Sequence, residues 1–588
     1  MPPLIQVENL FFSYPTQHGT FSNDPILRGI SLRIEREELV ALVGANGSGK
    51  TTLARCLNAL LLPTKGRVLI EGMDTQNPAN RRKIHSMVGM VFQFPEDQIV
   101  ASTVEEDVAF GPENLGLPPG EIRQRVEDAL REVGLWEDRF RPPHLLSAGQ
   151  MQRLALAGAL AMRPACIIFD EATTMLDPLG RRKALEIMSH LQQVGLTILF
   201  ITHYMDEAAQ AERVIALHRG NIALDGSPHQ IFSQPDMLAE LGLDLPPASQ
   251  IARRLRTVWP ALPEKLMAMN ALQDALPLYP GRDSVVEEQI DNLQNQSDYT
   301  PQDSLQPFPM INVENLGHVY LAGTPLAHRS LQDVSMQVQP GSSHGLAGVT
   351  GSGKSTLLQH LNGLLRPQEG SVRVGAFDLN QSKVTMREIV KTVGLVFQNP
   401  EMSFFEQYVG DEIAFGPRQM GLHQGLADRV RQAMEIVGLD FDQFKDRLTF
   451  TLSGGERRKV ALASILALRP EILLLDEPLA GLDPVSTQEI RSRLAELRQS
   501  GITFVLSSHH MEDISLLAER MSILQGGKVL LAGSPSEVFG QMKVLYRAGL
   551  EPPCVTLIAE GLRERGWPLP AGIIDLDILI REVTRVNG

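Results

Sequence analysis

Two segments place a glycine-rich turn between an apolar strand and a helix-forming run, the arrangement that cradles phosphate groups. The first is Gly44-Ala45-Asn46-Gly47-Ser48-Gly49-Lys50-Thr51-Thr52, entered from Leu39-Val40-Ala41-Leu42-Val43. The second is Gly348-Val349-Thr350-Gly351-Ser352-Gly353-Lys354-Ser355-Thr356. Both fit the P-loop pattern G-x-x-x-x-G-K-[ST]. Its glycines let backbone N–H groups turn inward on phosphate oxygens, and the following helix adds its positive N-terminal end. Lys50 and Lys354 are expected to reach the β- and γ-phosphates of a nucleoside triphosphate, and Thr51 and Ser355 to offer a hydroxyl to Mg²⁺.

Each half then carries a strand that ends in two acids, Cys166-Ile167-Ile168-Phe169-Asp170-Glu171 and Ile472-Leu473-Leu474-Leu475-Asp476-Glu477. Asp170 and Asp476 are placed to hold the metal through water, and Glu171 and Glu477 to polarise an attacking water as general bases. His203 and His509 follow the apolar runs beginning at Ile198 and Phe504. A single histidine at a strand end is usually structural; its repetition marks these two as candidates to bond a γ-phosphate and orient water. Ser147 and Ser453 open helical runs, so their hydroxyls and the adjacent N–H groups, with Gly149 and Gly455, can also receive a phosphate.

These marks repeat because the chain does. Val7-Glu8-Asn9-Leu10 returns as Val313-Glu314-Asn315-Leu316, an offset of 313 − 7 = 306, and Val91-Phe92-Gln93 as Val396-Phe397-Gln398, an offset of 396 − 91 = 305. A unit that long is a duplicated domain and not a solenoid repeat. The duplication runs on through Gly226-Ser227-Pro228 and Gly533-Ser534-Pro535 to double prolines at 246–247 and 552–553, each followed by a helix-like run from Ile251 and Ile558. The expected organisation is an α/β fold with two P-loop domains in tandem: residues 1–234, a C-terminal extension at 235–280, an acidic linker at 281–308, a second domain at 309–541 and its extension at 542–588. The linker holds six acids against one arginine and reads as flexible, with a short helix possible over Val285–Leu293.

Composition narrows the function. With 588 residues, 43% hydrophobic and 21% charged, the chain can form several cores. A net charge of −15 without a basic run argues against broad nucleic-acid binding. Cys56, Cys166 and Cys554 are scattered and odd in number, so neither a disulfide framework nor a zinc site is expected. The start, Met1-Pro2-Pro3-Leu4-Ile5, has no basic stretch with an apolar core, and no run approaches the roughly 18 apolar residues of a spanning helix. A membrane role is therefore expected to act through a partner.

Leu146-Ser147-Ala148-Gly149-Gln150 and Leu452-Ser453-Gly454-Gly455-Glu456 resemble the LSGGQ signature of ABC ATPases. Gln93 and Gln398 resemble the Q-loop, Asp177 and Asp483 the D-loop, and His203 and His509 the switch histidine. The resemblance implies ATP and Mg²⁺ as ligands, with Gln93 and Gln398 at the metal and Tyr14 and Tyr320 stacked on adenine. It also implies two composite sites, each completed by the signature of the opposite half in a pseudo-dimer. Ala148 and Glu456 depart from the signature; both glutamates and both histidines remain, so hydrolysis is expected at both sites, with Ala148 tightening or misplacing one contact.

The finer resemblance covers nearly the whole chain. Glu171-Ala172-Thr173-Thr174, Asp476-Glu477-Pro478-Leu479-Ala480-Gly481 and the blocks leading to Ala109-Phe110-Gly111-Pro112 and Ala414-Phe415-Gly416-Pro417 are similar to the paired ATPases of energy-coupling factor and cobalt or nickel importers. That implies an ATPase on the cytoplasmic face of the cell membrane, beneath a transmembrane coupling subunit and a substrate-binding membrane subunit. Uptake of a vitamin, a vitamin precursor or a transition-metal ion would follow. Glu96, Asp97 and Glu401 are candidates to pair with arginines of coupling helices, or are simply solvated acids. The ATPase of a sugar or peptide importer would share the catalytic residues, and an ABC-type translation factor would share the tandem layout but carry a basic linker.

Overall fold

The computed structural model describes residues 3–15, 24–174, 176–280, 309–324, 327–381, 383–399 and 404–587. The acidic segment 281–308, with the helix expected in it, and Glu401 lie outside the described residues.

In the first half, strands β1 (Ile5–Phe12) and β2 (Leu27–Ile34) alternate buried and exposed side chains, the pattern of a sheet with one wet face. The five residues of β3 (Leu39–Val43) are all buried, as a central parallel strand requires. With β4 (Lys65–Ile70) and β5 (Met73–Asp74), the first two make an antiparallel sheet ordered β2-β1-β4-β5. Strands β6 (Val88–Val91), β7 (Cys166–Asp170), β8 (Thr197–Ile201), β9 (Arg213–His218) and β10 (Asn221–Gly226) join β3 in the order β10-β9-β3-β8-β7-β6. All neighbours in this sheet are parallel except β9 and β10. The consequence is positional: β3, β7 and β8 lie side by side, so the P-loop, the acid pair and His203 leave the same end of the sheet.

The second half repeats the plan. Strands β11 (Ile311–Tyr320), β12 (His328–Val338), β14 (Glu369–Val374) and β15 (Phe377–Asp378) form the antiparallel sheet. Strands β13 (Ser343–Ala347), β16 (Val393–Val396), β17 (Ile472–Asp476), β18 (Thr503–Ser508), β19 (Arg520–Gln525) and β20 (Lys528–Gly533) form the other, again with β13, β17 and β18 adjacent. Each half has an apolar core between its sheets and the P-loop helix, built around Leu53, Leu57 and Ile168 in the first and Leu357, Leu361 and Leu474 in the second.

The chain divides into two compact units. One is Met1–Ser249 together with Ser453–Gly455 and Ala480–Glu489; the other holds the remaining residues. Within the second unit, the helix Met269–Ala275 packs on the helix Cys554–Glu564, and the Trp567 indole N–H donates to the Pro277 carbonyl at 2.9 Å. Among the described residues, no helix is long and apolar enough to cross a membrane.

Candidate functional site

The helix Lys50–Leu57 begins directly after Gly49, whose φ of 104° suits glycine. A Cβ there would lie 2.7 Å from Leu27 Cδ2, a close contact added to the backbone's preference for glycine. The Lys50 side chain folds back and donates to the carbonyls of Gly44 and Ala45 at 2.8 and 3.1 Å. Lys354 does the same to Gly348 and Val349 at 2.6 and 3.3 Å. A buried ammonium is costly unless paired, and burial pulls Lys50 below its ordinary pKa against the opposing charge of Glu171. Each loop is thus a ring of backbone amides closed over a cation. Ser48 Oγ and Ser352 Oγ are buried and have no hydrogen-bond partner among the described residues. The first N–H groups of a helix also lack intrahelical acceptors. Donors without acceptors around a lysine fit a polyphosphate chain.

At the end of β7, Thr51 Oγ1 donates to Asp170 Oδ1 at 2.9 Å. Burial lifts the Asp170 carboxyl to about 6, helped by neighbouring Glu171 and resisted by the Thr51 hydrogen bond. Glu171 itself takes a left-handed backbone with φ 52°, and Glu477 repeats it at 49°. That conformation costs a non-glycine residue about 1–3 kcal/mol and is typical of functional positions. The turn is held by Glu171 N–H donating to the Ile201 carbonyl and Glu477 N–H to that of Ser507, both at 3.2 Å.

The turned carboxylate of Glu171 meets two groups. His203 Nε2 lies 2.7 Å from Oε1, and Gln93 Nε2 donates to Oε2 at 3.0 Å. Burial works to raise the Glu171 pKa, but the charge and hydrogen bond of His203, with Lys50 behind, hold it below the ordinary value. In the second half His509 Nδ1 lies 2.9 Å from Glu477 Oε2, and Lys354 Nζ lies 3.8 Å from Oε1. There too burial opposes and His509 prevails, leaving Glu477 at about 2. Asp476 accepts from Ser507 Oγ at 2.5 Å and also from Ser355; burial still raises it above the ordinary aspartate value. Each pair therefore presents one carboxylate held ionised beside the lysine and one of raised pKa beside the Thr51 or Ser355 hydroxyl.

A family model described as “ABC transporter” matches residues 27–174 and 331–480, about half the chain. The chain belongs to the ABC transporter family. A Methanosarcina acetivorans protein named as an ABC transporter ATP-binding protein is 35% identical over 97% of this chain and 92% of its own length. The energy-coupling factor transporter ATP-binding protein EcfA1 of Symbiobacterium thermophilum is 51% identical over 47% of this chain and 96% of its own length. Among solved structures, cbiO1 from Clostridium perfringens, part of the ABC transporter complex cbiONQ, is 32% identical, with a TM-score of 0.37, over 41% of this chain and 94% of that one. Two ABC ATPase domains in tandem, which bind and hydrolyse ATP, account for the duplication.

Other residues singled out in this ABC chain fall into place unequally. Tyr14 and Tyr320 stand half-exposed beside the P-loop helices, their hydroxyls 3.4 Å from Thr52 and Thr356. Ser147 caps the helix Ala148–Ala161, accepting from Gln150 N–H at 3.3 Å while Gln150 Oε1 accepts from Ser147 N–H at 3.0 Å. The Glu456 departure has a local reason, because Arg447 donates to its carboxylate at 2.8 Å. At Gly454, the counterpart of Ala148, an added Cβ would meet nothing within 4 Å. Among the described residues no hydrogen bond joins Gln398 to Glu477 as one joins Gln93 to Glu171; the Gln398 backbone carbonyl accepts from Arg458. Glu96 and Asp97 sit exposed on the short turn Pro95–Asp97. Sequence reasoning passed over Gln98, whose side chain bonds Phe92 N–H and the Met90 carbonyl at 2.8 and 2.9 Å and so pins the backbone beside Gln93. It also passed over Glu207, whose carboxylate accepts from Thr173 Oγ1 at 2.9 Å.

Proposed function

We propose that this ABC ATPase is the energy-coupling component of an importer of the energy-coupling factor type, held on the cytoplasmic face of the cell membrane by its partners. Those partners are a transmembrane coupling subunit and a substrate-binding membrane subunit, and the cargo is a vitamin, a vitamin precursor or a transition-metal ion. The observation that carries this reading is the 51% identity of half the chain to an energy-coupling factor ATPase.

In the mechanism, Lys50 and Lys354 balance the charge of the nucleotide phosphates, and the loop amides and the Ser48 and Ser352 hydroxyls hold their oxygens. Thr51 and Asp170, and Ser355 and Asp476, are the groups that would hold Mg²⁺, with Gln93 and Gln398; bound there, Mg²⁺ supplies neutralisation of phosphate charge. Glu171 and Glu477, ionised, accept a proton from the attacking water, and His203 and His509 orient the carboxylate that does so. Tyr14 and Tyr320 offer a face to adenine. The Ser453 hydroxyl serves the nucleotide held by Lys50, and Ser147 that held by Lys354. ATP then joins the two halves into a pseudo-dimer, and its hydrolysis releases them.

Purification of the chain from its native membrane, with identification of the proteins that accompany it, tests the reading. Co-purification of two integral membrane proteins is expected. Co-sedimentation with ribosomes, without membrane partners, would sink it.

A further inference from the structure

The run Glu171-Ala172-Thr173-Thr174 differs from Glu477-Pro478-Leu479-Ala480, and hydrolysis as described uses only the first residue of each. Thr173 nonetheless has a defined partner. Glu207, on the short helix Met205–Ala208, is fully buried. Its Oε2 accepts from Thr173 Oγ1 at 2.9 Å and from Thr202 Oγ1 at 2.5 Å, and its Oε1 accepts from Arg181 Nε at 3.0 Å. Thr173 stands two residues after Glu171, and Thr202 immediately before His203. The Thr202 hydroxyl also accepts from Tyr204 N–H at 3.0 Å, closing the backbone on the other side of His203. Arg181, on the helix that Asp177 caps, lies 3.6 Å over the Tyr204 ring.

One carboxylate therefore ties together the two segments that carry Glu171 and His203. A buried carboxylate left without partners would cost several kcal/mol, and the two hydroxyls and the Arg181 guanidinium together satisfy this one. We propose that Glu207 is a positioning residue of the first catalytic centre: through Thr173 and Thr202 it holds the Glu171–His203 pair at 2.7 Å. The second half is built differently. Ser508, the counterpart of Thr202, still accepts from His510 N–H at 3.0 Å, but Leu479 offers no hydroxyl where Thr173 does, and Asp513, which stands in for Glu207, accepts from Arg491 at 2.7 Å. Among the described residues the tie through Thr173 belongs to the first centre, which gives the Glu-Ala-Thr run a use that the reaction itself does not.

The inference rests on the reading of Glu171 as the general base. Because Glu207→Gln sets an amide against Arg181 and can unsettle the fold, Thr173→Val, which removes one hydroxyl at nearly constant shape, carries the test. ATP hydrolysis is measured in the full chain carrying Glu477→Gln, so that turnover reports the Glu171 centre. Thr173→Val is expected to lower kcat about tenfold, in keeping with the sensitivity of catalysis to small misplacements, with KM for ATP within about twofold. Thr173→Ser should restore kcat, and the two variants should melt together. Should Glu477→Gln alone silence the chain, the same fall at constant KM is required in the otherwise unaltered chain. An unchanged kcat in Thr173→Val, a loss that serine does not restore, or an effect confined to KM overturns the proposal. Glu171→Gln is measured alongside: if it leaves turnover intact, the general-base reading has failed, whatever Thr173→Val does.

Discussion

His203 presents Nε2 to Glu171 at 2.7 Å, whereas His509 presents Nδ1 to Glu477 at 2.9 Å. The opposite nitrogen of each ring, His203 Nδ1 and His509 Nε2, is buried with no hydrogen-bond partner among the described residues. The two centres thus hold equivalent carboxylates by different ends of the imidazole. A glutamine amide nitrogen sits near the Nε2 position and an asparagine amide nitrogen near Nδ1. Glutamine should therefore replace His203 better than asparagine, and asparagine should replace His509 better than glutamine. Rates of the four variants at saturating ATP check this, and the same preference at both positions would refute it.

Both glutamates are ionised and lysine-backed, so both centres should hydrolyse ATP. Loss of a general base typically costs 10²–10⁴-fold at the affected centre. Glu171→Gln and Glu477→Gln should each remove part of the single-turnover rate. If either substitution leaves that rate untouched, two-site hydrolysis is wrong.

The sequence exposed the catalytic groups because they are local: glycines before a lysine, acids at the end of an apolar strand, each shown twice. It also exposed the sheet, since Leu39–Val43 and Cys166–Asp170 are buried throughout and their runs are correspondingly apolar. The Glu207 clamp escaped because Thr173 and Glu207 are 34 residues apart and meet only after β7 and β8 pair. The rotated imidazole of His509 escaped for another reason, since nothing in a residue's identity states which ring nitrogen faces a carboxylate. The left-handed backbone of Glu171 was equally silent, being imposed by the neighbouring strand and not by a glycine.

Thr51 and Asp170 form one hydrogen-bonded pair at the proposed Mg²⁺ position. Thr51→Ala removes the hydroxyl and leaves Asp170, already lifted to about 6 by burial, with one donor fewer. Chelation by EDTA should abolish hydrolysis in the unaltered chain. Thr51→Ala should raise the Mg²⁺ concentration for half-maximal rate about tenfold or more. A Mg²⁺ titration identical to the unaltered chain would remove Thr51 from the metal site.

The second half carries imidazoles where the first has apolar side chains: His318 for Phe12, His344 for Val40 and His360 for Cys56. Burial holds His344 and His360 at about 4, the first aided by Arg520 and the second opposed by the Thr356 carbonyl, and burial also lowers His318. The folded chain therefore keeps His344 and His360 neutral down to about pH 4, while the unfolded chain protonates them once pH falls below about 6.5. Their contribution to stability is intact above that value and is lost as pH falls toward about 4. At pH 5 the loss for His344 or His360 is about 2 kcal/mol each. Calorimetry from pH 7 to 5 should show a smaller fall in unfolding temperature for the double variant His318→Phe, His360→Cys than for the unaltered chain. Equal falls would show that other groups govern acid sensitivity.

Trp567 is the anchor of the packed extensions in the second unit. It is 3% exposed, its indole N–H donates to the Pro277 carbonyl at 2.9 Å, and its ring lies 5.3 Å from Trp259 and 5.4 Å from Tyr279 in edge contacts. Gln273 and Arg565 add bonds to the Leu557 and Asp274 carbonyls at 3.2 and 3.1 Å. Removing a buried tryptophan typically costs about 3–5 kcal/mol, whereas losing one neutral hydrogen bond costs about 1 kcal/mol. Trp567→Phe should therefore weaken the packing modestly and Trp567→Ala severely. Hydrogen exchange of the amides in Met269–Ala275 reads the difference, because that helix is short and depends on its contacts with Cys554–Glu564 for protection. Fast exchange in the alanine variant, with the P-loop helix Lys354–Leu361 still protected, is expected. Unchanged protection of Met269–Ala275 would mean that the polar bonds from Gln273 and Arg565 suffice and that Trp567 is not the anchor.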